Sequence, residues 1–202
     1  GAGWAGYRLV AGGRAIAGGR AGRDARADVV ESFAPWTDEI WQRSRARYGF
    51  VGQRDRALLD RLYPADFPGL TRLRVTRGDE AIGWVCVLRV DLRDGAGHEH
   101  FGRLRVGLLA DAFAAPEDAA AVLRAGVRHL RESDVDLVFS NQAHPAWVAA
   151  LRSMGFLEGP SNFAFFRAPA VTKLMGNGGT GRHAFVNRGD CDGPRFSQGG
   201  SP

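Results

Sequence analysis

Three side chains stand where they could move a proton: Asp111, Glu99 and His144. Asp111 follows an apolar stretch, Phe101 to Ala110, that reads as a strand. A carboxylate at a strand end, near the splayed centre of a mixed sheet, is well placed to accept a proton; its other use is to cap the helix that follows. Glu99 lies between His98 and His100 in a polar loop, Asp91 to His100. Alternation would put both imidazoles on one face, but no third ligand is near in sequence, so no zinc site is expected and Glu99 stands as a second candidate base. His144 precedes Pro145 at the start of a helix. Its free pKa near neutrality suits acid or base work, and a His in that place also caps helices.

Other chemistry-bearing residues point to less. Asp190-Cys191-Asp192-Gly193 matches part of a calcium loop without the downstream Glu, so no metal is expected there. That run reads instead as a tail folding back near a cleft. Cys86 sits in an apolar run and reads as a small buried hydrophobe, and its distance from Cys191 gives no metal spacing.

The elements that must hold these groups follow from periodicity. Trp4 to Val10 suits one short strand, and Ala11 to Asp28 reads as a linker. Phe33 to Tyr63 carries apolar residues at helical spacing, interrupted by Gly49 and Gly52, which predicts two amphipathic helices. A hairpin follows, with Leu73 and Val75 alternating with Arg, a turn at 77–80, and a return strand from Ile82 to Val90. Glu117 to Glu132 is the clearest helix, with Ala119, Leu123, Val127 and Leu130 on one face. Val135 to Ser140 reads as a strand and His144 to Gly155 as a second helix. Phe156-Leu157 and Phe163 to Phe166 read as strands. The Gly-rich tail holds one apolar run, Ala184-Phe185-Val186. This order predicts a mixed α/β fold, one mixed sheet with helices on both faces. The expected core includes Trp84, Val85, Val87, Leu123, Val127, Leu137, Leu151 and Phe156. The organisation is a linker or remnant of a preceding module over 1–30, a domain over 31–170 and a tail over 171–202.

Composition limits the function classes. Hydrophobic residues make up 45% of the 202, enough for a sizeable core. The net charge is +5, and Lys173 is the only Lys among 27 basic residues. Arg is scattered among 22 acids rather than clustered on an arm, which argues against nucleic acid as a partner. There is no apolar run near 18 residues, so no membrane span is expected. The first Met is Met154, so the sequence reads as a fragment or a processed product. The composition fits a reduced, cytoplasmic protein.

Residues His144 to Phe156, HPAWVAALRSMGF, resemble the N-x-x-A-x-x-L-Y-x-x-x-G-F stretch of the GNAT N-acetyltransferases. The element order resembles that family over about residues 31–168. A narrower resemblance is to the second module of bacterial tandem GNAT-like proteins, several associated with surface polysaccharide synthesis. It rests on Glu39-Ile40-Trp41 with Arg54 to Leu59, on Leu109-Ala110-Asp111, and on Gly189-Asp190-Cys191-Asp192. On that view, Trp4 to Val10 ends a truncated first module.

The resemblance implies acetyl-CoA or another acyl-CoA as co-substrate, with an amine or hydroxyl on a small molecule as acceptor. A surface-polysaccharide precursor is one such acceptor. It places the cofactor against Leu109, Ala110, Ala119, Ala120 and Asn141, with Asp111 or Glu99 as base and His144 as acid or base. The family's R/Q-x-x-G-x-G/A turn falls on Ala115 to Ala120. Here glycine is absent, Pro116 removes a donor, and Glu117 and Asp118 stand where phosphate would go. The family's acidic Tyr falls on Leu151, which has no proton to give. Two readings therefore stay open: an acyltransferase with a degenerate cofactor turn, and a non-catalytic module of the same fold supporting a partner.

Overall fold

The computed structural model describes residues 24–93, 102–158 and 184–190. Its centre is a five-stranded mixed sheet in the order β1-β3-β4-β5-β6. The strands are β1 (Ala25–Val30), β3 (Leu70–Arg77), β4 (Glu80–Asp91), β5 (Arg105–Ala114) and β6 (Leu137–Ser140). Neighbours are antiparallel, except that β5 and β6 run parallel. A second, two-stranded sheet pairs β2 (Phe50–Val51) with β7 (Ala184–Phe185) in parallel. The described residues also form four α-helices: α1 (Pro35–Ser44), α2 (Arg56–Leu62), α3 (Ala119–Glu132) and α4 (Pro145–Ser153). No helix among the described residues is long and apolar enough to cross a membrane.

Alternation on β4 assigns the two faces. Val85 and Val87 lie under Gly126 of α3, while Trp84 points to the other side, 5.5 Å from Phe33 between ring centres. Trp41 of α1 packs on that second face against Phe113 of β5, at 5.4 Å. The helix signals act as the sequence suggests. Asp55 caps α2 by accepting from the Leu58 N–H at 2.9 Å. Gly155 ends α4 at φ +84, a left-handed cap. The Phe156 N–H then reaches back to the Leu151 carbonyl at 3.2 Å.

Several boundaries differ from the sequence reading. Ala25 to Val30, expected mostly as linker, pairs with β3 along its whole length. Small Ala and charged Arg suit an edge strand with little apolar surface to bury. The strand expected to end at Ala110 runs on to Ala114, so Asp111 lies inside β5 and not at its end. Pro116–Asp118 is a 3₁₀ turn, and α3 begins only at Ala119. Phe156-Leu157 is not a strand. Trp84, Val85, Val87, Leu123, Leu137 and Leu151 are buried as expected, whereas Val127 and Phe156 are half-buried. The expected strands at Trp4–Val10 and Phe163–Phe166 lie outside the described residues.

Candidate functional site

The site begins with an irregularity in β5. Val87 of β4 pairs with Leu109, but the next residue, Cys86, pairs with Asp111. Ala110 is the extra residue of a bulge, and it flips the side-chain alternation. Leu109 therefore faces α3, and Asp111 faces the opposite side beside Cys86. The parallel pairing of β5 with β6 ends at the same point, at Leu109 opposite Ser140. Beyond it, Ala110 to Ala114 have no partner on β6.

Asp111 is 1% exposed and holds four donors. Its Oδ1 accepts from Arg54 Nε at 3.2 Å, Asn187 Nδ2 at 2.6 Å and its neighbour's N–H, Ala112, at 2.8 Å. Its Oδ2 accepts from the Tyr63 hydroxyl at 2.9 Å. Burial pushes this carboxyl up from its ordinary range, and the Arg54 guanidinium and the bonds from Asn187 and Tyr63 pull it back. Burial and the adjacent Asp111 likewise push the Tyr63 phenol up.

Arg54 is as deeply buried and is engaged in every direction. Its Nη1 donates to the Gly52 carbonyl at 2.9 Å, and its Nη2 to Asn187 Oδ1 at 3.1 Å and Asp190 Oδ2 at 2.6 Å. The guanidinium lies 5.0 Å from the ring centre of Phe185. Burial alone would lower its pKa, but Asp111 and Asp190 outweigh that and raise it, so the group stays charged. Three stretches of the narrower resemblance converge here, in Arg54, Asp111 and Asp190.

Gly189 fits because it lacks a side chain. A Cβ there would lie 2.5 Å from both Asp111 Oδ2 and the Tyr63 hydroxyl oxygen. Gly189→Ala is expected to cost about 1–3 kcal/mol through overpacking, read by denaturant unfolding. A change below ~0.5 kcal/mol, the scale of an uninvolved surface position, would mean that the 188–190 turn does not press on the carboxylate.

A second, aromatic patch fills the space between β5 and α4. Phe185 is fully buried, with its ring 5.0 Å from Tyr48, 5.8 Å from Phe113 and 5.1 Å from Trp147. Tyr48 donates its hydroxyl to the Ala114 carbonyl at 2.7 Å and accepts from Trp147 Nε1 at 2.9 Å. Burial pushes the Tyr48 phenol far up, so it remains a donor. His144 stacks edge-on against Tyr48 at 4.9 Å and caps α4 through Nδ1, which accepts from the Ala146 N–H at 3.3 Å.

The remaining candidates divide. Leu109 and Ala110 are buried in β5, and Ala119 is buried at the start of α3 with Ala120 half-buried. Asn141 directly follows β6. Ser140 Oγ, Asn141 Oδ1 and both amide atoms of Gln142 are buried without a hydrogen-bond partner among the described residues. Glu99 and its flanking histidines lie outside the described residues, as do Cys191 and Asp192. At the turn before α3, Glu117 is bonded to Arg47 and Asp118 to Arg77, each at 2.8 Å. No cluster of metal-binding side chains occurs among the described residues. Among the described residues, a recess beside Gly69 and Leu130 holds about 240 Å³ and another, beside Ser140 and Gln142, about 150 Å³. Neither reaches the ~300–1,000 Å³ usual for a ligand site.

Sequence reasoning missed the parts played by Tyr48, Tyr63, Phe185 and Asn187, and treated Arg54 only as part of a motif. The one available signal was Arg54 and Asp190 in two separate motif stretches of opposite charge.

No family model and no curated protein matches this chain. Among solved structures it is similar to an aminoglycoside acetyltransferase, meta-AAC0020, from an uncultured soil metagenomic sample, in complex with sisomicin. The TM-score is 0.48 at 10% identity, over 72% of this chain and 97% of that one. It is also similar to AAC(6')-Iy in complex with a CoA-containing bisubstrate analog, with TM-score 0.45 and 17% identity over 71% and 97%. A third is the 6'-N-acetyltransferase AAC(6')-Ih from Acinetobacter baumannii, with TM-score 0.43 and 13% identity over 71% and 98%. At these values they name what the chain is similar to, and say nothing of what it binds.

Proposed function

We propose that this chain carries a GNAT-type acyltransferase domain that uses acyl-CoA and a small-molecule acceptor with an amine or hydroxyl, such as a surface-polysaccharide precursor. The observation that carries the reading is the end of β5–β6 pairing at Leu109 and Ser140, followed at once by buried, unmet polar atoms on Ser140, Asn141 and Gln142. Such groups are costly unless a partner meets them. An extended arm bearing amides, like that of coenzyme A, offers both donors and acceptors. Acyl-CoA would supply the thioester-bound acyl group. Leu109, Ala110 and Asn141 would line the arm, and Ala119 and Ala120 would lie at its phosphate end. Asp111 would accept the acceptor's proton, with Glu99 as the other candidate base, and His144 would stand at the mouth of α4 as acid or base.

The phosphate end fits poorly, because Glu117 and Asp118 flank the start of α3. A second reading, a non-catalytic module supporting a partner, is favoured by the ties of these acids to Arg47 and Arg77, which knit the turn into the fold. Acetyl-CoA binding by calorimetry separates the two. Changing Glu117 to Gly and Asp118 to Ala removes two like charges and leaves two arginines free for phosphate. Each contact is worth about 1 kcal/mol in a partly solvated site, discounted for exposure, so about tenfold tighter binding is expected at low salt. Binding by neither form would favour the non-catalytic module. Low-micromolar binding by the wild type, unchanged in the variant, would refute the degenerate turn.

A further inference from the structure

We infer that Ala184–Asp190 is an internal strap that closes the acyl-donor groove, and that the groove opens when this segment leaves. The inference rests on the donor-groove reading given above. The segment crosses the gap left where β5 and β6 part. On the β5 side, Asn187 Nδ2 donates to Asp111 at 2.6 Å and Phe185 packs on Phe113. On the other side, the Ala143 N–H donates to the Val186 carbonyl at 3.1 Å, Asn187 forms an antiparallel bridge with Gln142, and Phe185 packs on Trp147. The backbone of the strap thus takes hydrogen bonds from the groove wall as an extended, amide-bearing arm would. The Phe185 ring fills the apolar space between β5 and α4.

The segment touches β5 through side chains but adds no strand to the sheet that builds the domain. Among the described residues its only ladder is the two-residue pairing of β7 with β2. Beyond that ladder it is held by side-chain contacts, among them the latch of Arg54 on Asn187 and Asp190 and the Asn187 bond to Asp111, and by the single bridge to Gln142. None of the five strands of the main sheet belongs to it. Departure of the strap would vacate the Phe185 site, remove the Asn187 donor from Asp111 and uncover Asp111 Oδ2, which holds a single donor and lies beneath Gly189. Access for the arm and a free lone pair on the candidate base would then arise together. The strap therefore makes proton acceptance at Asp111 conditional on groove opening.

The test is hydrogen exchange over residues 184–190 in the full chain, with and without saturating acetyl-CoA, beside calorimetry of wild type and Asn187→Asp. The Asn187→Asp change keeps shape but sets a third carboxylate beside Asp111 and Asp190, loosening the strap. The expected results are at least tenfold tighter acetyl-CoA binding by the variant, and faster exchange at 184–190 in the wild type when acetyl-CoA is added. The wild-type exchange comparison needs no variant to fold. Acetyl-CoA binding with 184–190 still protected would overturn the strap and leave the acyltransferase reading standing. Release of 184–190 in the variant with no acetyl-CoA binding would overturn the donor-groove reading, and the strap's role with it.

Discussion

Arg54→Ala is expected to lower stability by about 3–5 kcal/mol, the range for leaving buried charges without their partner. The substitution removes four hydrogen bonds at once and leaves Asp111 and Asp190 facing each other across the vacated site. It also strips the cation from beneath Phe185. Urea unfolding followed by far-UV circular dichroism would measure it. Asp190→Asn should cost less, because that carboxylate is 19% exposed and water can replace its partner. A loss under about 1 kcal/mol for Arg54→Ala, the worth of an ordinary exposed pair, would mean that the cluster is solvated.

The second large effect lies on the opposite face of the sheet. Leu123 is fully buried in α3, on the stripe that also holds Ala119, Gly126 and Leu130. The helix lies so close to β4 and β5 that a Cβ on Gly126 would come within 2.7 Å of Leu109. So tight a contact leaves little room for collapse around a deleted side chain. Leu123→Ala is expected to cost about 2–5 kcal/mol by the same unfolding experiment. A loss under ~0.5 kcal/mol would place Leu123 on the surface and break the account of how α3 packs.

These two positions also mark what could be inferred from the sequence. The stripe of α3 was legible because its apolar residues recur at helical spacing and its partners need only be apolar. The mixed sheet was legible in the same way, from the continuous run around Trp84 and the turn at 77–80. Asp111 was singled out, but as a strand end, because a charge in the middle of a buried strand contradicts what burial normally selects. What permits it there is the set of donors from Arg54, Tyr63 and Asn187, which lie 57, 48 and 76 residues away in the chain. No local pattern announces such partners. The bulge at Ala110 is similarly silent, because Leu-Leu-Ala-Asp-Ala-Phe reads alike with or without the flip. The tail's fold-back was anticipated from its Asp190 motif. Its pairing with Phe50 and Val51 was not, since two-residue strands leave no periodicity.

That pairing between the early β2 and the late β7 sets an order of events during synthesis. Among the described residues, the five strands of the main sheet and the four helices lie within 24–158, whereas β7 and the partners of Arg54 in the latch come about 30 residues later. At ~5–20 residues per second, about 2–6 s separate the emergence of α4 from that of the later segment. Through that interval Arg54 lacks Asn187 and Asp190, and the hollow beside Trp147 lacks Phe185. Every newly made copy therefore passes once through an unlatched form before residues 184–190 reach it. A ligand or chaperone present at the ribosome would meet that form first.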